Sequence, residues 1–517
     1  MAKFNRVTPI PQGRTYEGAP GYQRDTRTEL FLLAVSTMVG EHTFYEAADE
    51  RDERFRTLVA RLAVDDIEWL AQLLAWLRQE GNLRSAPLVG ALEAAKARLD
   101  AGAHGHSRQL VASVLRRADE PGEALAYWTG RFGRSVPKPV KRGIADAVTR
   151  LYSERSLLKY DTDSHAFRFG DVCDLTHPAA RDTRQGALFA HALDRRHNRE
   201  NAIPAELGTL RAREELMALP VAERRAVLDR PDAAEVLARA GVTWEALAGW
   251  LQGPMDAGAW ETVLPSMGYM ARLRNLRNFD QAGVSDEAAE RVAARLADPD
   301  EVARSRQLPM RFLAAYRAAP SLRWGAALER ALGHALGNVP ELAGRTLVLV
   351  DQSGSMRGRM SARSELTNAQ VAQIFGAALA LRCEHADLVQ FDNVSEAVEI
   401  GRGDALLRVL DRFWGGRGGT NTAAAVREHF RDHDRVVLVS DEQAWGGRQG
   451  EEPTRAVPDR VPVYTWNLAG YRYGHGPVGT GNRHVFGGLS DAAFRMIPLI
   501  EDGERNRWPW ETEAVAA

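Results

Sequence analysis

The sequence predicts a multidomain chain, in which an all-α region of stacked antiparallel helix pairs is followed by an α/β domain with a doubly wound parallel sheet. Three observations carry this reading. The chain has 517 residues, too many for one ordinary hydrophobic core. From about Thr26 to about Leu342 it is rich in alanine, leucine and arginine, with apolar residues at helical spacing. After Gly344 the texture changes to apolar strands alternating with helices, the pattern of a parallel sheet covered on both faces.

Taken in order, residues 1–25 are polar and rich in glycine and proline, and read as a flexible lead-in. The segments ELFLLAVSTMV, DDIEWLAQLLAWLRQEG, SRQLVASVLRRA and SDEAAERVAARLAD then carry helical periodicity. Asp65 or Asp66 can cap the helix that runs through Trp69 and Leu73, and Gly81 can close it. No strict repeat of fixed period is present, so the solenoid reading of residues 26–342 rests on helix spacing and short turns. In residues 343–500 the expected strands are Arg345–Val350, Ala386–Phe391, Arg435–Ser440 and Val461–Asn467. Helices are expected around Glu365–Arg382, Asp404–Phe413 and Thr422–His429. Residues 501–517 read as a charged tail whose WPW tucks against a domain.

Composition narrows the function classes. A formal net charge of −2 makes any nucleic-acid surface a local patch and not a property of the whole chain. The two cysteines, Cys173 and Cys383, form no CxxC pattern or secretory framework, which points to a reducing, cytoplasmic setting. No apolar stretch reaches the length of a membrane span.

The stretch TLVLVDQSGSMRG raises a chemical question: an apolar strand, Leu347 to Val350, ends in Asp351, Ser353 and Ser355. In an open α/β sheet, ligands sit outside the carboxyl ends of the strands. A hard cation such as Mg²⁺ takes oxygen ligands, keeps waters and needs only one or two carboxylates. Two further loops bring oxygens to the same rim: GGRGGTNT, with Thr420 and Thr422, and the end of RVVLVS, with Asp441. The bland alternative is that Asp351 and the serines cap a turn or helix. Asp351, Ser353, Ser355, Thr420 and Asp441 together resemble the metal-ion-dependent adhesion site of von Willebrand factor A domains. Gly-Gly-Thr resembles the family pattern, which selects Thr420. The resemblance implies Mg²⁺ or another divalent cation held by the serines, the threonine and the aspartates, with one position open for a ligand carboxylate. No His, Glu or Lys in these motifs stands as a general base, so recognition is expected and catalysis is not.

In the helical region, RFGRSVPKPVKRGIADAVTRLYSERSLLKY (Arg131–Tyr160) is the most one-sided stretch of charge. A helix from near Pro139 would put Lys141 and Arg142 on one side and Ile144, Val148 and Leu151 on another. Tyr152, Tyr160, His165 and Phe167 follow among Arg155, Lys159 and Arg168, and cations interleaved with rings suit single-stranded RNA. Charge runs are more often solvated helix faces, and aromatics at these spacings more often core. Arg272, Arg274 and Arg277 in ARLRNLRN read as structural, and Cys173 as a small buried residue.

EGNLRSAPLV (Glu80–Val89), VLPSMGYMARLRNLRNF (Val263–Phe279) and LPMRFLAAYRA (Leu308–Ala318) resemble the TROVE module of telomerase, Ro and vault proteins. A TROVE module followed by a von Willebrand A domain resembles the bacterial-type Ro family. That resemblance implies a HEAT-like helical-repeat ring joined to a Rossmann-like A domain, acting as a monomeric, non-catalytic scaffold in RNA quality control. It implies small Y-like RNA on an outer basic surface, and 3′ ends of misfolded or single-stranded RNA in the ring. A 3′ exoribonuclease such as polynucleotide phosphorylase is the implied protein partner. DVCDLTHP (Asp171–Pro178) resembles the segment whose histidine contacts Y RNA, so that role is carried to His177. Lys138, Lys141, Arg142, Lys159 and His165 lie on matching basic segments. The rival expectation is a Mg²⁺-dependent protein-interaction module that does not bind RNA.

Overall fold

The computed structural model describes residues 10–36, 42–43, 45–337, 339–360, 366–401, 403–416, 418–446, 451–477, 482–501 and 508–511. They form two compact units. One comprises residues 88–305 and 315–328, and the other residues 1–87, 306–314 and 329–517.

The first unit is helical throughout. Its helices alternate short turns with amphipathic stretches, as the periodicity predicts. In the helix Lys138–Leu151, Val140, Gly143, Ile144, Ala147 and Val148 are buried. That face packs on the helix Ser107–Val114 so closely that a Cβ on Gly143 would lie 2.6 Å from the Arg108 carbonyl oxygen. Tyr152, expected among the RNA-facing rings, is instead core. It is 2% exposed and stacks on Phe169 with ring centroids 3.7 Å apart. An apolar ring that follows a helix end is drawn inward by the area it buries.

The second unit holds the sheet. Its strands are β1 (Gly13–Arg14), β2 (Pro20–Gln23), β3 (Leu342–Asp351), β4 (Cys383–Phe391), β5 (Ser395–Ala397), β6 (Arg435–Ser440), β7 (Val463–Asn467), β8 (Tyr473–Gly474) and β9 (Arg483–Gly487). Six of them form one sheet in the order β5-β4-β3-β6-β7-β9. All its pairings are parallel except β4 with β5. Leu347, Val348, Leu349 and Val350 are fully buried, because helices cover both faces of a parallel strand. From β3 the chain crosses first to β4 on one side and later to β6 on the other, so the carboxyl ends of β3 and β6 flank a topological switch point.

Residues 10–25 depart from the flexible lead-in expected of them. β1 pairs with β2, and β2 pairs with β8. The Arg24 guanidinium forms a fully buried ion pair with Glu442 and donates to the Tyr471 carbonyl. A polar segment is ordered here because its hydrogen-bonding groups find partners far along the chain. Asp66 occupies the N-cap of the helix Ile67–Gln79 but makes no capping bond. Its carboxylate is taken by Arg27, 2.8 Å away. Of the tail, residues 502–507 and 512–517 lie outside the described residues, as do residues 1–9 of the lead-in. Trp508 and Trp510 do tuck in, stacking on each other and against Phe31, Trp69 and Trp76. Among the described residues no helix is long and apolar enough to cross a membrane.

Candidate functional site

The switch point brings the oxygen cluster together. Asp351, Ser353, Ser355, Thr420 and Asp441 are all at least 95% buried, and they come from the loops after β3 and β6 and from the glycine-rich loop between them. Asp351 Oδ1 accepts from the Ser353 N–H (2.8 Å), and Asp351 Oδ2 accepts from the Ser440 hydroxyl (2.6 Å). The Ser353 and Ser355 hydroxyls lie 3.3 Å apart. The glycine-rich loop docks directly on this turn, the Gly354 N–H donating to the Gly418 carbonyl at 2.7 Å. Only glycine permits that approach: a Cβ on Gly416 would sit 1.5 Å from the Gln352 carbonyl oxygen. The GGRGG sequence is thus what lets Thr420 reach the rim.

The electrostatics fit a cation. Burial, helped by the charge of Asp392, pushes the Asp351 carboxyl up. Burial and the charge of Asp351 push the Asp441 carboxyl up as well. Buried carboxylates pushed up by burial and by a neighbouring carboxylate are relieved by a positive ion beside them. Asp441 Oδ2 and Thr422 Oγ1 are buried with no hydrogen-bond partner, a costly arrangement that an ion or its water would satisfy. Among the described residues no group of three or more His, Cys, Asp or Glu side chains could hold a metal. The donor set is therefore hydroxyls plus two carboxylates, which suits a hard ion. Sequence reasoning missed two supporting residues, Asp392 and Ser440. Both end apolar strands next to β3, so the strand-end criterion that found Asp351 and Asp441 also applied to them.

The residues expected to contact RNA all belong to the helical unit. Lys138 and Lys141 lie in the first turn of the helix Lys138–Leu151, a turn without an acidic residue, and Arg142 follows directly. Lys138 and Arg142 are exposed and Lys141 half-buried. His177 is exposed at the end of the helix Phe169–Thr176, in the left-handed conformation (φ 49°). Its loop is tied back to the basic helix by the Thr149 hydroxyl, which donates to the Ala179 carbonyl at 2.9 Å. Lys159 lies elsewhere, over the Tyr160 ring at 5.1 Å. His165 is half-buried in the following loop, its N–H on the Thr162 carbonyl.

Much of the remaining charge is spent within the protein. Arg150 donates to the carbonyls of Ala112 and Leu115, Arg155 to that of Ala238, and Arg168 pairs with Asp161 and Asp163. Arg272 is structural as expected: it is 3% exposed, bonds the Leu264 carbonyl and is pushed down to about 10 by burial. Arg274 and Arg277 differ from that expectation, since both are exposed on the opposite face of the same helix. Cys173 is buried, and burial pushes its thiol up to about 12, which leaves it unreactive.

The chain joins a helical domain to a doubly wound sheet with an oxygen-lined switch point, and its residues 239–344 match the family model of the TROVE domain. That segment contains the ARLRNLRN and LPMRFLAAYRA stretches, while EGNLRSAPLV lies outside it. The overall fold is similar to that of a solved Ro protein. The crystal structure of the Deinococcus radiodurans Ro (RSR) protein matches with a TM-score of 0.63 at 20% identity, covering 93% of this chain and 100% of that one. No curated protein matches the sequence.

Proposed function

We propose that the chain is a non-catalytic RNA-binding scaffold. One observation carries the reading: three cations, Lys138, Lys141 and Arg142, fall within the first five residues of one helix. The positive end of the helix dipole disfavours cations there by about 0.3–1 kcal/mol each, so folding does not select for them. An anion would be favoured there, by the cations and by the positive end of the dipole together. None of the three makes an ion pair with a carboxylate among the described residues. Phosphates of a small structured RNA of the Y type are the proposed ligand, with His177 on the adjoining loop as a further contact and Lys159 and His165 at the periphery. The TROVE match and the Ro-like fold support this reading. Single-stranded 3′ ends of misfolded RNA form the second proposed ligand class, a 3′ exoribonuclease the proposed protein partner, and a cytoplasmic monomer the proposed form.

In the sheet unit we propose that Asp351, Ser353, Ser355, Thr420 and Asp441 hold Mg²⁺ or a similar divalent cation. When bound, the ion would supply an electrophilic position for an oxygen ligand. The buried Asp441 oxygen without a partner keeps a second reading in play, a metal-dependent interaction module independent of RNA. Paired variants separate the two. In a gel-shift assay with a Y-like RNA, Lys141→Glu with Arg142→Glu should abolish retention while Asp351→Ala leaves it mostly intact. Full RNA affinity in the double variant would refute the scaffold reading.

A further inference from the structure

The unit that holds the sheet also contains a cleft of about 850 Å³ that neither the oxygen cluster nor the basic helix uses. Its walls come from residues 14–23, from the helices Thr26–Ser36 and Ala48–Asp65, and from the loops around Gln443 and Tyr473, all within that one unit. Gln443, fully buried, ties two of these walls together. Its side-chain carbonyl accepts from the Tyr16 N–H at 2.8 Å, and its amide donates to the Tyr473 carbonyl at 3.1 Å. The Tyr16 ring, 53% exposed, is held in place by stacking on Tyr45, centroids 4.7 Å apart and almost parallel. The cleft is therefore preformed, as small-molecule sites usually are.

The least satisfied group lining it is the Glu29 carboxylate. Glu29 is 8% exposed and accepts no hydrogen bond among the described residues. Arg54 Nε lies 3.4 Å away, yet that N–H is itself buried without a hydrogen-bond partner. The other nitrogens of the Arg54 guanidinium are turned to the Glu46 carboxylate and the Gly470 carbonyl. Glu46, which also lines the cleft, is by contrast well paired, with Arg51 at 2.7 Å and Arg54 at 3.0 Å. Burial pushes the Glu29 carboxyl up in spite of the nearby arginines, as happens to a carboxylate short of donors. Leaving such a group unsatisfied is costly, and a cationic N–H group entering the cleft would satisfy it. Glu50, exposed on the helix Ala48–Asp65, lines the same cleft and has no ion-pair partner among the described residues. Arg14 and Arg472 line it too, but both are exposed, and water and salt screen an exposed charge far more than a buried one. The buried Glu29 therefore sets the sign of the site.

We propose that this cleft binds an organic cation, an alkylammonium or alkylguanidinium group that donates to Glu29, is flanked by Glu50 and lies against the Tyr16 ring. Carboxylates beside an aromatic face suit such cations, through charge-assisted hydrogen bonds and attraction to the ring. The proposal depends on neither the RNA reading nor the metal reading.

The test titrates the full chain by calorimetry, without RNA or metal, using spermidine as the ammonium probe and N-acetyl-L-arginine amide as the guanidinium probe. At least one should bind, one per chain. Glu29→Gln weakens a hydrogen bond to a charged group, worth about tenfold or more, and should reduce affinity by that factor at unchanged melting temperature. Glu50→Gln, at the surface, should reduce it by about two- to fivefold. Tighter binding of spermidine assigns the site to free amines, and tighter binding of the amide assigns it to an arginine side chain of a peptide. Failure of both probes to bind the parent chain would overturn the proposal. So would parental affinity in both variants, since the probe would then be bound elsewhere on the surface. Should Glu29→Gln fail to fold, Glu50→Gln and Tyr16→Leu, which removes the exposed ring, decide the matter in the same way.

Discussion

Arg24 and Glu442 form an ion pair with almost no access to solvent, their side chains 1% and 0% exposed. Burial alone would raise the Glu442 carboxyl. The charge of Arg24, followed by that of His475 and the bond from Asn467, outweighs burial and holds it below the ordinary glutamate range. A depressed folded value means that the pair's stabilisation is present above the unfolded carboxylate pKa, about 4.3, and is lost as pH falls through the folded value. Removing one partner of a buried pair leaves the other charge uncompensated, at a cost of roughly 3–5 kcal/mol. Arg24→Gln should therefore lower stability at pH 7 by about that amount in urea unfolding followed by circular dichroism. The gap between variant and parent should shrink as pH falls from about 4.3 through the depressed folded value of Glu442, below which the carboxyl is protonated in both. A gap that stays constant down to pH 3 would contradict the assignment.

Among elements, the tail shows how a short apolar motif joins a core. Trp508 and Trp510 stack at 5.1 Å and meet Phe31, Trp69 and Trp76 at 5.2–5.4 Å. Trp510 is only 8% exposed, so its ring acts as a core residue of the unit. Truncating a buried tryptophan costs about 3–5 kcal/mol through lost burial and the cavity left behind. Trp510→Ala should show this as a lower urea midpoint, whereas Arg142→Glu, on an exposed helix face, should leave the midpoint within about 0.5 kcal/mol of the parent. The glycine-rich loop makes a related point, since its small residues serve the close approach of Gly416 to Gln352.

For the molecule as a whole, a net charge of −2 means that no global field draws in RNA, and the proposed scaffold reading assigns binding to the patch on the helix Lys138–Leu151. Phosphate contacts release counterions, so affinity for single-stranded RNA falls with a log–log salt slope of about −0.7 per phosphate engaged. Filter binding at a series of salt concentrations should show a steep slope for the parent chain. Removing Lys141 and Arg142 should flatten it by about 1–2 units. A slope near zero in the parent would place recognition outside the phosphate backbone.

The sequence by itself determined the two fold classes, the span of β6 and of the helix Thr422–His429, and the oxygen cluster at the switch point. These are local signals: side-chain period reports an element's type, and an oxygen-bearing residue after an apolar run marks a strand's end. The tertiary structure alone decided which cations remain available, since Arg150, Arg155 and Arg168 are consumed by partners that no local pattern reveals, while Arg274 and Arg277 face outward. It alone turned Tyr152 into core. It also turned residues 13–14 and 20–23 of the lead-in into strands. Contacts such as Arg24 with Glu442 join residues 418 positions apart, and a pairing at that distance is set by how the whole chain packs, which neither residue's neighbours in sequence can encode.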